Sequence, residues 1–281
     1  LNGKKVPQLF VTTGSYSLID PKKYPWTMGF QSSYAAESRV IARYILTEKP
    51  NAKIGILYQD DDFGTDHLNP FLEALGDKAK TMVVAKVSYA VTDPTVTSQI
   101  LSLKAAGADT LYLMAQSRAA AQAVSAARDQ GGENLLLFIP YVATAKSVIG
   151  PVGDEKLKGL MSTDSTKDPT NPAWADDPAV KDYLAWVNKY VPEQDRESDR
   201  ASPLGYVSAQ TMVEVLKRAG DNLTRENIMK VAKSLHNVQL PLLLPGITLN
   251  TSDEDYFPIH TLQLKRYDGT RWQLVGKPIE G

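Results

Sequence analysis

A short polar turn near the start of the chain has the composition of an anion-binding site. Residues Thr13, Gly14 and Ser15 follow the apolar stretch Val6–Val11, which is predicted to form a β-strand. A turn of small hydroxyl residues and glycine can present backbone N–H groups, which bind carboxylates and phosphates. The same composition is typical of an ordinary turn, and spacing alone favours that simpler interpretation.

Three neighbouring aspartates, residues 60–62, precede Gly64 and look like part of a calcium-binding loop. The glycine comes one position too early, and Phe71 stands where such a loop needs a bidentate glutamate. We therefore expect no metal site in this segment.

The sequence contains no arrangement typical of an active site. Its three histidines, at positions 67, 236 and 260, are scattered and lack a glutamate at metal-binding spacing. No nucleophile elbow, phosphate-binding loop or dinucleotide fingerprint occurs. The chain has no cysteine, which excludes a thiol nucleophile and a zinc–thiolate site. We predict a binding protein with no catalytic residues, no metal and no cofactor.

The elements that must position a ligand site lie in the central stretch, residues 52–145. Apolar runs predicted to be strands occupy residues 53–58, 81–87, 109–115 and 135–139, and helical patterns begin at Thr65, Asp93 and Ala119. This alternation is typical of parallel strands buried on both faces. Such sheets bind ligands in the loops after their strands, here residues 59–64, 115–117 and 140–144.

The flanking segments predict further helices and strands. A helix capped by Ser32 or Ser33 carries Glu37 early and an apolar face at Val40, Ile41, Tyr44 and Ile45. Later helices are predicted at residues 178–191, 204–219 and 227–235, and strands at 240–247, 260–267 and 270–275. Asp268-Gly269 is a hairpin signal between the last two strands.

Size and charge limit the function classes. A chain of 281 residues fits two domains, and 43% apolar residues suffice for a sizeable core. The net charge of −1 gives no indication of nucleic acid or an anionic membrane as partner. No segment approaches 18 uninterrupted apolar residues, so we expect no membrane span.

Several stretches, in their order along the chain, resemble the leucine/isoleucine/valine-binding type of periplasmic solute-binding protein, the receptor of an ATP-driven (ABC) importer. They are Leu57–Gly64 with its aromatic before a turn glycine, Gly205–Gly220, Leu244–Leu249, Tyr256–Ile259 and Leu264–Trp272. The resemblance covers essentially the whole chain. It implies an α/β type I periplasmic-binding-protein fold, with two lobes of parallel sheets flanked by helices and joined by a hinge.

The resemblance also implies domain boundaries and site residues. Residues 1–33 and 172–250 are assigned to the first lobe, 34–171 to the second, and 251–281 to hinge-crossing and closing strands. In the family, the turn at Thr13, Gly14 and Ser15 grips the ligand carboxylate. Phe63, Gln116, Tyr141 and Tyr206 match other ligand-contacting positions; for Phe63 and Tyr206, packing within the protein is an equally open interpretation.

Two departures from the family pattern matter. Amino-acid binders place an acid after the proline of the fourth loop to pair with the ligand ammonium, whereas here Pro140 is followed by Tyr141. Family chains also begin about a hundred residues earlier, with three more strand–helix units. We therefore expect the native chain to be longer, or a second polypeptide to fill the first lobe.

These features predict an extracytoplasmic solute-binding protein, in the periplasm or lipid-anchored at the cell surface. By hinge closure it would deliver a small carboxylate-bearing ligand to the membrane permease of an ABC importer. The ligand is an aromatic or apolar acid, or a hydrophobic amino acid if Asp60 or Asp164, or an acid from the absent first units, supplies the missing counter-charge. The alternative function is the ligand-sensing domain of a receptor or regulator with the same fold.

Overall fold

The structure is a computed structural model that describes residues 1–196 and 202–281. Two compact units are present. Unit 1 comprises residues 1–33, 165–262 and 280, and unit 2 comprises residues 34–164, 263–279 and 281. Each unit is described by itself below.

Unit 2 is organised around a seven-stranded sheet. Its strands are β3 (Ile54–Gln59), β4 (Val83–Tyr89), β5 (Thr110–Met114), β6 (Leu136–Phe138), β7 (Met161–Asp164), β8 (Thr261–Tyr267) and β9 (Trp272–Glu280). The order across the sheet is β4-β3-β5-β6-β7-β8-β9. The first five run parallel, and β8 pairs antiparallel with β7. Every residue of β5 is buried, as expected for a parallel strand covered on both faces.

Helices flank this sheet, as the alternation of patterns predicts. They are α1 (Tyr34–Glu48), α2 (Asp62–Leu75), α3 (Ala79–Met82), α4 (Thr97–Ala105), α5 (Ser117–Gly131), α6 (Lys146–Ile149) and α7 (Asp154–Leu157). Helix α1 packs extensively against α2 and buries the predicted residues Val40, Ile41 and Ile45. No helix in the described ranges is long and apolar enough to cross a membrane.

Unit 1 contains a two-stranded parallel sheet of β1 (Gln8–Val11) and β2 (Thr27–Gly29). Its helices are α8 (Pro178–Tyr190), α9 (Pro203–Ala219) and α10 (Arg225–Ala232). Asp177 caps α8 by accepting from the N–H groups of Ala179 and Val180, and Thr224 caps α10. These caps satisfy backbone donors that have no partner inside the helix.

The structure corrects four sequence predictions. The helix predicted from Asp93 begins at Thr97, because the Asp93 side chain instead accepts from the Ala90 N–H in the preceding turn. Helix α2 begins at Asp62 rather than Thr65, because the Asp61 side chain accepts from the N–H groups of Phe63 and Gly64. The strand predicted from Thr81 starts at Val83, after the one-turn helix α3. Residues 240–247 form turns with an isolated bridge at Leu243 instead of a strand, since the two prolines in this stretch interrupt a hydrogen-bonded ladder.

Candidate functional site

The sheet of unit 2 brings three predicted site residues to one edge. Phe63, Gln116 and Tyr141 follow β3, β5 and β6, which are adjacent and parallel. The carboxyl ends of adjacent parallel strands lie at the same edge of a sheet, where ligands of open α/β sheets bind. The prediction of a site from the strand-end loops therefore agrees with the sheet order.

Phe63 lies in the first turn of α2 and is 8% exposed. Its ring meets Tyr34 edge-on at a centroid distance of 5.0 Å and His67 at 4.8 Å, and Tyr34 stacks on His67 at 4.6 Å. Gly64 allows this close approach of helix and strand, because a Cβ there would collide with the Gln59 carbonyl oxygen. Phe63 thus has extensive packing contacts inside unit 2, and its contact with a ligand remains a prediction.

Gln116 is half-buried and occupies the N-cap position of α5. Nearby, the Tyr89 hydroxyl at the end of β4 donates to Gln59 Oε1 at 2.9 Å. Gln59 Nε2 in turn donates to Asp61 Oδ2 at 2.6 Å. These two hydrogen bonds link the carboxyl ends of β3 and β4. The next residue, Ser117, has a φ of 52°, a strained value for a non-glycine residue of the kind often found at ligand sites.

Tyr141 is held at both ends of its backbone. Its N–H donates to Glu37 Oε1 at 2.8 Å, and its carbonyl oxygen accepts from the Thr144 hydroxyl at 2.8 Å. Burial, together with Tyr34, Glu37 and Asp164 nearby, raises the pKa of the Tyr141 hydroxyl well above its usual value. The Tyr141 hydroxyl is therefore neutral at physiological pH and serves as a hydrogen-bonding group rather than a charge.

Glu37 is the functional candidate that the sequence prediction missed. Its carboxyl group is fully buried, and Oε1 also accepts from the Thr163 hydroxyl at 2.7 Å. Burial raises the pKa of Glu37 to about 8, against lowering contributions from Thr163, Tyr141 and Lys265. The sequence did contain an indication that Glu37 is buried, because Glu37 lies one helical turn before Ile41 and therefore on the buried face of α1.

Asp164 and Lys265 form a largely buried ion pair close to the same loop. Lys265 Nζ lies 2.7 Å from Asp164 Oδ2, and the two side chains are 8% and 26% exposed. The same ammonium donates to Thr144 Oγ1 at 3.3 Å and sits 4.8 Å from the ring centroid of Trp272. The charge of Asp164 is thus already balanced within unit 2.

The predicted anion-binding turn lies in unit 1 and is held by local hydrogen bonds. Ser15 N–H donates to Thr13 Oγ1 at 3.2 Å, and Ser15 Oγ lies 2.9 Å from Ser17 Oγ. Ser17 N–H also donates to Ser15 Oγ at 3.2 Å. Gly14 and Ser15 are buried, whereas Ser17 is exposed. The turn is therefore a compact group of hydroxyls and amides, the chemistry suited to a carboxylate.

Tyr206, the remaining predicted site residue, lies on α9 in unit 1 and is half-buried. Its ring meets Tyr183 at 5.3 Å and Trp186 at 5.2 Å, both edge-on from α8. The structure thus gives Tyr206 a packing role between two helices, and its contact with a ligand remains a prediction.

The residues with catalytic or metal-binding potential are used structurally. Within residues 1–196 and 202–281, no group of three or more His, Asp or Glu side chains could hold a metal ion. Ser38 Oγ lies 3.1 Å from His67 Nδ1, but both residues are completely buried and Tyr112 OH shares the same nitrogen at 3.1 Å. Burial lowers the pKa of His67 to about 3, so His67 is a neutral core residue that no substrate can reach.

The parallel sheet of unit 2 and its flanking helices define an α/β protein of the class that binds ligands in the loops after its strands. The family model for periplasmic binding proteins matches residues 1–271, and the chain belongs to that family. The predicted family and the predicted α/β fold class are thereby confirmed. Family membership makes the chain an extracytoplasmic solute-binding protein rather than an enzyme.

Solved structures of similar fold share little sequence with this chain. A branched-chain amino acid ABC transporter protein from Thermus thermophilus with bound valine superposes with a TM-score of 0.80 at 16% identity, covering 100% of this chain and 74% of its own. A possible leucine/isoleucine/valine-binding protein from Rhodopirellula baltica gives 0.75 at 18%, covering 98% and 72%.

A fatty acid ABC transporter substrate-binding protein from Thermomonospora curvata gives a TM-score of 0.75 at 19% identity, covering 100% of this chain and 70% of its own. A search of curated proteins found no match. At these identities the similarity establishes the fold, and the ligand must be argued from the site itself.

Proposed function

We propose that this protein binds a small apolar or aromatic carboxylate outside the cytoplasm and delivers it by hinge closure to the permease of an ABC importer. Units 1 and 2 correspond, in this proposal, to the predicted first and second lobes. The turn at Thr13, Gly14 and Ser15 supplies hydroxyl and amide donors for the carboxylate, and Phe63, Gln116, Tyr141 and Tyr206 contact the remainder of the ligand.

The observation that carries this proposal is the state of the two carboxyl groups near Tyr141. The raised pKa of Glu37 leaves it mostly protonated at pH 7, and Asp164 is paired with Lys265. Neither group offers an uncompensated negative charge to a ligand ammonium. An ammonium transferred from water to such a place without a counter-charge costs several kcal/mol, which disfavours an α-amino acid.

The structural neighbours are compatible with either ligand class. The Thermus thermophilus protein is described with bound valine, whereas the Thermomonospora curvata protein is described as a fatty acid transporter component. The fold thus accompanies both an amino acid and an apolar carboxylate. Tyr141 in place of an acid favours the second class, because its ring packs on an apolar body and its hydroxyl hydrogen-bonds a polar tip.

Matched ligand pairs test the proposal. Purified protein is titrated calorimetrically with 3-phenylpropionate and phenylalanine, and with 4-methylpentanoate and leucine. In each pair the acid without the amino group should bind at least tenfold more tightly, because about 1.4 kcal/mol of uncompensated ammonium cost corresponds to a factor of ten. Tighter binding of the amino acid in both pairs would contradict the proposal.

A charge variant sharpens this test. Tyr141→Glu places an acid where the family pairs the ammonium, and it should shift the preference toward the amino acid of each pair. Tyr141→Gln, which is polar but uncharged, serves as the control and should leave the preference unchanged. Asp60 is an exposed residue directly after β3, and Asp60→Asn tests the other predicted counter-charge; we expect it to leave the preference unchanged as well.

A further inference from the structure

Glu37 connects three elements of unit 2 through a single oxygen atom. Its side chain leaves the first turns of α1, and Oε1 accepts from Tyr141 N–H after β6 and from the Thr163 hydroxyl on β7. The second oxygen, Oε2, has no hydrogen-bond partner in the described ranges, although it is buried. A buried carboxylate with one oxygen unpaired is costly, whereas a neutral carboxylic acid is less so.

The charges around Glu37 also favour its neutral form. Lys265, on β8, is the nearby cation, but it is already paired with Asp164 at 2.7 Å. Asp164 on β7 repels a negative charge at Glu37, and the Tyr112 and Tyr141 hydroxyls, whose pKa values are raised well above the ordinary value by burial and in part by Glu37, carry no compensating charge. His67 of α2 is neutral by burial and hydrogen-bonds Ser38 and Tyr112, so it supplies no positive charge.

We propose that Glu37 is a positioning residue, a buried uncharged carboxylic acid whose Oε1 fixes the backbone of Tyr141 for ligand binding. The inference rests on the proposed function insofar as Tyr141 contacts the ligand. The loop 140–144 is then held from two sides, by Glu37 at the Tyr141 N–H and by Lys265 through the Thr144 hydroxyl. Removing the hydrogen bond from Glu37 should let Tyr141 move, while the contact through Lys265 and Thr144 remains.

If Glu37 acts as an uncharged hydrogen-bond acceptor, the variants Glu37→Gln and Glu37→Leu should differ in ligand affinity. Glutamine keeps an oxygen that can accept from Tyr141 N–H and Thr163, so it should bind 3-phenylpropionate within twofold of the wild type at pH 7. Leucine is similar in size but accepts nothing, and it should weaken binding at least tenfold. Glu48→Leu, an exposed position on the same helix, is the matched control and should bind as the wild type does.

A pH profile distinguishes positioning from general structural support. Above pH 8 the wild-type Glu37 becomes negative, and its repulsion by Asp164 should move its carboxylate away from the Tyr141 N–H. The affinity of the wild type for 3-phenylpropionate should therefore fall at least threefold between pH 7 and pH 9. The Glu37→Gln variant should show no such fall. Equal losses in the glutamine and leucine variants at pH 7, or identical pH profiles of wild type and Glu37→Gln, would overturn the inference.

Amide hydrogen exchange of the unliganded protein makes the test independent of the ligand. The peptide covering residues 139–144 should exchange at least tenfold faster in Glu37→Leu than in the wild type, and at the wild-type rate in Glu37→Gln. If the wild type binds no carboxylate, the proposed function fails while this exchange result still decides whether Glu37 positions Tyr141. If Glu37→Leu does not fold, the exchange rate and the pH profile of Glu37→Gln decide whether the inference holds. Unchanged exchange in Glu37→Leu would also overturn the inference.

Discussion

The turn at residues 13–15 in unit 1 and the loop at residues 140–144 in unit 2 are predicted to serve the same ligand, but they are stabilised differently. The hydrogen bonds described above for Ser15 reach Thr13 and Ser17, two positions away in the sequence, and its carbonyl oxygen accepts from the N–H groups of Leu18 and Ile19. Those of Tyr141 and Thr144 reach Glu37 and Lys265, which lie 104 and 121 positions away. The first group of donors is built locally, whereas the second depends on the folding of unit 2.

This difference determines which substitutions affect stability and which affect only binding. In the loop of unit 2, buried charged or ionisable groups hold the backbone, so their removal leaves unpaired groups inside the protein. In the turn of unit 1, the Ser15 hydroxyl pairs with the hydroxyl of the exposed Ser17, which can hydrogen-bond water when the Ser15 hydroxyl is removed. We therefore expect large stability effects in unit 2 and small ones in unit 1.

The largest expected effect is the pH dependence that Glu37 imposes on stability. Its pKa is about 8 in the folded protein against an ordinary value of 4.5. Below pH 4.5 Glu37 is protonated in both states, and its stabilising contribution is fully present. As the pH rises toward 8, the unfolded chain ionises first, so the free energy of unfolding falls by roughly 4–5 kcal/mol before it levels off.

Glu37→Gln should remove this dependence. The free energy of unfolding of the variant minus that of the wild type, measured in urea, should increase by about 3.5 kcal/mol between pH 5 and pH 8. The buried His67 is present in both proteins, so its own titration cancels in the difference. A difference that is equal at pH 5 and pH 8 would show that Glu37 is ionised in the folded state.

Lys265 should have the next largest effect. Lys265→Met removes one partner of a largely buried ion pair and leaves Asp164 without its counter-charge, at a cost of about 3 kcal/mol in the free energy of unfolding. Lys80→Met is the control, because Lys80 pairs with Asp77 in full exposure to solvent, and such pairs contribute under about 1 kcal/mol. The double variant Lys265→Met with Asp164→Asn should recover about half of the lost free energy of unfolding. If Lys265→Met alone is as stable as Lys80→Met, the buried ion pair does not contribute as proposed.

The contrast between local and distant contacts also explains how much the sequence could predict. The strand-end loops followed from alternating apolar runs and helical patterns, and the turn at Ser15 followed from its composition. The contact of Tyr141 with Glu37 could not be predicted from the sequence, because no local spacing indicates a contact between residues 37 and 141. A glutamate on the apolar face of α1 was the available signal, and it identifies a buried acid without identifying its partner.

The capping role of Asp61 and the turns at residues 240–247 show the same limit. Three consecutive aspartates were compared with a calcium loop, whereas one of them caps α2 and accepts from Gln59. The apolar composition of residues 240–247 favoured a strand, yet the prolines prevent a continuous ladder. In both cases the backbone hydrogen bonds, rather than the side-chain pattern, decided the structure.

The smallest expected effect in free energy is at Ser15, and it concerns binding rather than stability. A hydroxyl that donates to a carboxylate makes a charge-assisted hydrogen bond worth about 1.5–3 kcal/mol. Ser15→Ala should therefore weaken the affinity for 3-phenylpropionate about tenfold by calorimetry and leave the melting temperature of the unliganded protein nearly unchanged. Ser17→Ala keeps the Ser15 hydroxyl and should bind within twofold of the wild type. If Ser15→Ala binds as tightly as the wild type, the local turn of unit 1 is not the carboxylate grip, and recognition must rest on the distant contacts that build the loop of unit 2.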